Sequence, residues 1–296
     1  MVKCPVCLVS CGSGKDGFER LASHFDATAL VSDQWHISWL NRNIGKERMN
    51  LSTLGKALQE YYDHDDIIEW IERRFIERFY DKSVHPFVLA MQHPTRGVLL
   101  GYVIEHRHFL RQWVRSCATI AARTEMDDVI KYEIENISVE FTGADGRPAH
   151  YELLLRMGES YGLKRSSILS YSPLPATREA ILFWDRICRE ESWVSAMCSM
   201  HSLELIASRE LRNKGAKMHY FNPALLEGNE LTEEARAFLR EGYEADVSHS
   251  TEALELVSKY SYVEEEDNIL SCFLASINKF DYYLNARLER GMEFES

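Results

Sequence analysis

From about residue 50 to the end of the chain, apolar residues recur three and four positions apart, and no strand-length alternation with hairpin turns interrupts them. Over 66–82 the stripe is Ile67, Ile68, Ile71, Phe75, Ile76 and Phe79. Over 98–123 it continues through Val98, Leu99, Tyr102, Val103, His106, Phe109, Leu110 and Trp113. This period gives each helix one apolar face, which only another element can cover. Further helices are predicted over 126–141, 151–161, 176–193, 195–213, 231–260 and 264–290. Their ends carry stop and start signals: Gly143, Gly146 and Pro148 in one turn, Gly162 after another helix, Pro173 and Pro175 between the two halves, and Thr232 ahead of Glu233 and Glu234. The expectation is an all-α bundle of about seven helices over 65–292, preceded by a linker or helix over 46–64.

Composition narrows the function classes. The 296 residues are 45% hydrophobic, enough for a substantial core, and 46 acids against 34 Lys and Arg give a net charge of −12. That balance argues against a nucleic-acid partner, because such binding leans on phosphate neutralisation. No stretch approaches the ~20 apolar residues that span a bilayer, and no leader-like segment opens the chain, so the expectation is a soluble cytoplasmic protein without a membrane partner. Of seven cysteines, Cys117, Cys188, Cys198 and Cys272 lie in apolar helical surroundings and read as core. The other three fall in residues 1–45, which differ from the remainder. Cys4 and Cys7 with His24 and His36 supply four N/S ligands, the number a structural zinc requires; Cys11 is an alternative to one histidine, and unligated or redox thiols are the other readings.

Helical bundles build metal sites by aiming carboxylates and imidazoles inward, and an acid three residues from a histidine puts both on one face. Asp246 with His249, Glu105 with His108, and His201 with Glu204 all show this spacing. A solvated charged face explains any one pair equally well. Glu204 stands out because its neighbours are largely apolar, where a buried carboxylate needs a metal or a cation such as Arg209 or Arg212. Carboxylate and imidazole ligands with open positions suit iron or manganese.

Read in order, several segments resemble the haem-oxygenase-like non-haem iron oxidases. These are Glu135 to Glu140 with the following glycine turn, His150-Tyr151-Glu152-Leu153, the run from Glu191 to Glu204, and Phe238 to His249. The resemblance covers roughly 65–290 and implies a haem-oxygenase-like bundle in which Glu140, His150, Glu204, Asp246 and His249 bind one or two Fe(II) ions. The family's remaining histidine falls on Gly242, which has no side chain, and His201 or His108 is the substitute within reach. It further implies a small-molecule substrate, an amino acid, amine or related acid, oxidised by O2 through N-oxygenation or oxidative carbon–carbon cleavage in natural-product biosynthesis. An external electron donor and a homodimer are compatible with it. Arg107, Arg156 and the His106/His108 pair are candidates to hold a substrate carboxylate, with exposed arginines and satisfied imidazoles as the plain alternatives. Two other readings stay open: a metal-independent enzyme of the same fold, thiaminase-like or cofactor-biosynthetic, and an inert zinc-containing interaction module.

Overall fold

A computed structural model describes residues 1–81, 83–143 and 146–295, with the side chains of residues 244–250 outside the description. Among the described residues it contains a two-stranded hairpin, β1 (Val2–Lys3) and β2 (Ser10–Gly12), and thirteen α-helices. These are α1 (Gly14–Leu30), α2 (Gln34–Asn43), α3 (Leu51–Tyr62), α4 (Ile67–Phe79), α5 (Pro86–Ala90), α6 (Arg96–Arg123), α7 (Asp127–Ile137), α8 (His150–Ser160), α9 (Arg165–Ser170), α10 (Pro175–Glu190), α11 (Trp193–His201), α12 (Glu233–Lys259) and α13 (Glu266–Met292).

The helix starts are built as the sequence indicates. Asp66 accepts from Glu69 N at 2.9 Å, Thr95 from Val98 N at 3.2 Å and Thr232 from Ala235 N at 3.2 Å, each satisfying an amide that has no partner inside its helix. Two stretches depart from expectation. The span over 195–213 is not one helix: α11 stops at His201 and the chain tightens into 3-10 turns at Ser202–Ile206 and Arg209–Arg212. The helix of α7 widens at its end into a π turn, Ser138–Thr142, before the left-handed Gly143 (φ 84°) reverses the chain toward α8.

The two longest-packed elements, α6 and α13, cross where both carry glycine. A Cβ on Gly101 would lie 2.1 Å from the Arg287 carbonyl oxygen, and one on Gly291 would lie 2.8 Å from that of Gly97. Only glycine permits this approach, and it brings the inner faces of α6 and α13 onto a shared set of side chains.

The first 63 residues are more structured than their composition indicates. Phe18, Leu21, Ala22 and Phe25 bury one face of α1 against α3, and Trp39 of α2 stacks on Phe25 at 5.3 Å. The hairpin rests on the bundle through Lys3 N donating to Ser271 Oγ (3.1 Å) and the Lys3–Glu191 ion pair. No helix among the described residues is long and apolar enough to cross a membrane.

Candidate active site

α6, α8, α12 and α13, with the π turn and the 3-10 turn, enclose a cavity of about 70 Å³. Its walls are mostly aromatic, and its polar lining comes to two ends. One end carries Glu140, His150 and Glu204, the other His106, Tyr220 and Arg287.

Both acids of the first end sit where the helix changes pitch, Glu140 in the π turn and Glu204 in the 3-10 turn, positions that redirect a side chain out of the ordinary helical register. His150, the first residue of α8, places Nδ1 3.3 Å from each Glu140 oxygen. Burial opposes charge on this ring, but the Glu140 carboxylate more than offsets it and raises the pKa. Phe238 tilts over the ring with centroids 4.6 Å apart.

Glu204 is held from behind by His201, whose Nδ1 is 3.5 Å from its carboxylate and 3.3 Å from the Tyr132 hydroxyl. The other nitrogen, Nε2, meets Glu133 Oε1 at 2.9 Å. Burial works against a charged ring here too, yet the two carboxylates raise His201 to about 10, which favours a charged ring between Glu133 and Glu204. Arg209 and Arg212, the other counterions considered for Glu204, go elsewhere: Arg209 lies over the Tyr243 ring and Arg212 donates to the Ala216 carbonyl.

Four buried atoms at this end have no well-formed hydrogen bond among the described residues: Glu133 Oε2, Glu140 Oε2, Glu204 Oε2 and His150 Nε2. Buried polar atoms without partners are costly, so carboxylate oxygens and an imidazole nitrogen left in this state fit a hard or borderline cation. Among the remaining expected ligands, Asp246 and His249 belong to the segment of α12 whose side chains lie outside the described residues. Gly242 lines the cavity and adds no side chain to it.

Several expectations are corrected. His108 does not reach the cavity: its Nε2 lies 3.1 Å from the Tyr171 carbonyl, and burial with Arg107 close by lowers its pKa to about 4. His201, by contrast, stays a candidate ligand: it has partners on both nitrogens and supports Glu204, and the ligand atoms of Cys117, Glu133 and His201 lie within 4.8 Å of one another, a spacing that could hold a metal ion. Arg107 donates to the Tyr171 carbonyl, and Arg156 pairs with Glu152 on the surface, so neither is placed to hold a substrate. Glu105 is taken by Arg290 at 2.8 Å. Two residues that the sequence reading missed are Glu133 and Arg287. Arg287 continues a face of Phe273 and Phe280, a charge on an apolar stripe that is a signal, whereas Glu133 shares its face with Val129, Asn136 and Glu140 and carries no such signal.

At the N-terminus the ligand atoms of Cys4, Cys7, His24 and His36 all lie within 4.8 Å of one another. Cys7 Sγ is 3.4 Å and His36 Nε2 3.2 Å from His24 Nε2. Ligands bound tetrahedrally to zinc at its usual bond lengths sit roughly 3.3–3.8 Å apart, so the cluster has nearly the spacing a zinc would impose. Asp33 sits 3.1 Å from His36 Nδ1, the carboxylate support that orients a ligating imidazole. The hydrogen bond between Cys4 and Cys7 lowers the Cys7 thiol and raises that of Cys4, which favours the thiolate on Cys7. Cys11 stays apart, its Sγ 3.7 Å from the Val9 carbonyl.

Residues 70–290 match the model of the TENA/THI-4/PQQC family, and residues 1–63 match that of a single C2H2 type zinc-finger. A pyrroloquinoline-quinone synthase of Cronobacter sakazakii (strain ATCC BAA-894) is 30% identical over 118 residues, 39% of this chain and 47% of that protein. The chain thus spans about half the length of this curated relative. Among solved structures, a domain of unknown function with a heme oxygenase-like fold from Shewanella denitrificans OS217 superposes with a TM-score of 0.54 at 16% identity, over 84% of this chain and 95% of that one. A TenA homologue from P. horikoshii OT3 gives 0.56 at 12% identity, over 75% and 94%. The fold is therefore the expected all-α, heme-oxygenase-like bundle.

Proposed function

We propose that this chain, which belongs to the TENA/THI-4/PQQC family, is an iron-dependent, O2-using oxidase or oxygenase of a small metabolite. The observation that supports this most is that Glu140, His150 and Glu204, each with a buried atom that lacks a well-formed hydrogen bond, line one aromatic cavity. Iron bound there would supply activation of dioxygen. Glu140 and His150 would hold it from one side and Glu204 from another, with Asp246 and His249 completing the set as the family resemblance implies. His201 keeps its proton between Glu133 and Glu204 and so fixes the Glu204 carboxylate. Phe109, Trp113, Phe221 and Phe238 exclude water and offer an apolar body of the substrate a surface to lie on. Cys4, Cys7, His24 and His36 would hold a structural zinc.

The test is oxygen uptake by protein loaded anaerobically with Fe(II), compared across Glu140→Ala, His150→Ala and wild type. The proposal expects substrate-dependent uptake that both substitutions abolish together with bound iron. Iron content unchanged in both variants would remove these residues from the site.

A second reading, favoured by the match to a pyrroloquinoline-quinone synthase, is a metal-independent enzyme of cofactor biosynthesis that uses the same pocket. In that case the Glu133–His201–Glu204 triad and the Glu140–His150 pair act as proton-holding groups, and turnover survives without iron.

A further inference from the structure

We propose that Arg287 anchors the carboxylate of the substrate, so that the cavity takes a small carboxylic acid with an apolar body. This rests on reading the cavity as the substrate site. Arg287 lies on α13, lines the same cavity as Glu140 and His150 and is only 2% exposed. Its hydrogen bonds among the described residues go to neutral groups. Nη1 donates to the Tyr220 hydroxyl at 2.8 Å, and Nη2 donates to the Tyr283 hydroxyl at 2.6 Å and to His106 Nδ1 at 2.8 Å. The guanidinium carbon sits 4.1 Å from the centre of the Tyr102 ring, which eases the burial of charge without neutralising it. Nε is buried and has no partner.

Among the other buried arginines, Arg107, whose Nε also lacks a partner, donates to the Tyr171 carbonyl and does not line this cavity, while two are ion-paired. Arg78 meets Asp281 and Arg290 meets Glu105, each in a direct ion pair. A buried guanidinium that lines a cavity, keeps an Nε–H without a partner and has no described carboxylate beside it is incomplete on its own, since buried charge is tolerated when paired. Guanidinium geometry suits a carboxylate bidentately.

The neighbours reinforce the choice of an anion. Arg287 can only donate, so His106 Nδ1 must accept and the ring carries its proton on Nε2. Burial, the Arg287 charge and His150 all hold His106 neutral. This ring also sets the path through the cavity: it touches Arg287 and its centroid is 6.4 Å from that of His150. An acid seated on Arg287 therefore extends past His106 toward Glu140 and His150, with Phe109 and Phe238 beside its body.

The experiment uses full-length protein that has not been loaded with iron, titrated by ligand-observed NMR with phenylacetate and hexanoate and with their uncharged amides. Each carboxylate is expected to bind at least ten-fold more tightly than its amide. Arg287→Met should abolish that preference and Arg287→Lys should keep part of it. Equal affinities for acid and amide, no binding by either acid, or a preference that survives Arg287→Met would overturn the proposal. Should Arg287→Met fail to fold, the wild-type ratio and Arg287→Lys still decide. Iron content is measured in parallel and should be the same in wild type and Arg287→Met. A carboxylate preference in protein that never retains iron leaves the anchor standing and removes the iron reading; retained iron with no preference does the reverse.

Discussion

The chain gathers histidines and acids or thiols in two places and treats them in opposite ways. At the N-terminus, the ligand atoms of Cys4, Cys7, His24 and His36 lie within 4.8 Å of one another, with His24 Nε2 3.4 Å from Cys7 Sγ and 3.2 Å from His36 Nε2 and with Asp33 bracing one imidazole. In the bundle, Glu140, His150 and Glu204 line a cavity from different elements, Glu140 paired with His150 and Glu204 with His201 behind it, and each pair retains an atom without a well-formed hydrogen bond. A closed set of four ligands is the form of a structural metal site, whereas ligands spaced around a cavity leave positions for reactants. The difference is one of backbone. A hairpin and one helix pair bring the first set together locally, while the second depends on a π turn, a 3-10 turn and the contact of distant helices.

The comparison can be broken most severely at the closed site. Replacing Cys4 with Ser should cost the N-terminal segment its metal and its order, because structural zinc in small domains contributes on the order of 10 kcal/mol to folding. Limited proteolysis should then cut within 1–45 while the bundle over 70–290 resists; cleavage spread through both regions would deny them separate stability. At the open site, Glu140→Ala should lower iron content at least ten-fold and leave N-terminal zinc unchanged, read by elemental analysis of the same sample.

His201→Gln probes whether support from behind is shared by both sites. It should weaken iron about 10–100-fold, the usual scale for a residue that orients a ligand, and cost about 3 kcal/mol or more, because Glu133 and Glu204 lose a buried counterion. Unchanged iron affinity would leave Glu204 without a role in the metal site. Gly101→Ala is smaller, about 1–3 kcal/mol in chemical denaturation, since the new methyl group must displace the α13 backbone at Arg287.

The smallest effect is a control belonging to neither cluster. Burial opposes ionisation of Asp281, but His85 and Arg78 outweigh it and hold the carboxyl below its ordinary 3.8. A depressed carboxylate contributes stability above its unfolded pKa and loses it as pH falls through the folded value. Wild-type stability should therefore decline below about pH 4, and Asp281→Asn should show a flatter acid limb in denaturation at a series of pH values.

Much of the bundle was legible because α4, α6, α10, α12 and α13 bury faces with a plain 3.6 period, and α4, α6 and α12 start at capping residues. α1 and α2 were not, although Phe18, Leu21, Ala22 and Phe25 have helical spacing, because Gly12, Gly14 and Gly17 around them read as loop. The end of α11 was also hidden, since nothing between Trp193 and Arg212 is a helix breaker and the 3-10 tightening serves Glu204. At the site, the spacing of His201 and Glu204 could be seen directly and the resemblance supplied Glu140 and His150. Arg287 and Glu133 remained unseen because each reads as one more charge on a helix. Only the structure turns them inward, Glu133 with no exposed surface and Arg287 against Tyr102 and Tyr283.

The measurement that bears most directly on the central claim is anaerobic loading of the whole protein with Fe(II), followed by metal analysis and X-ray absorption at the iron edge. The account predicts iron that survives desalting, has only oxygen and nitrogen neighbours, and is lost in Glu140→Ala and His150→Ala. Iron that washes out of the wild type, or that remains in both variants, would contradict it.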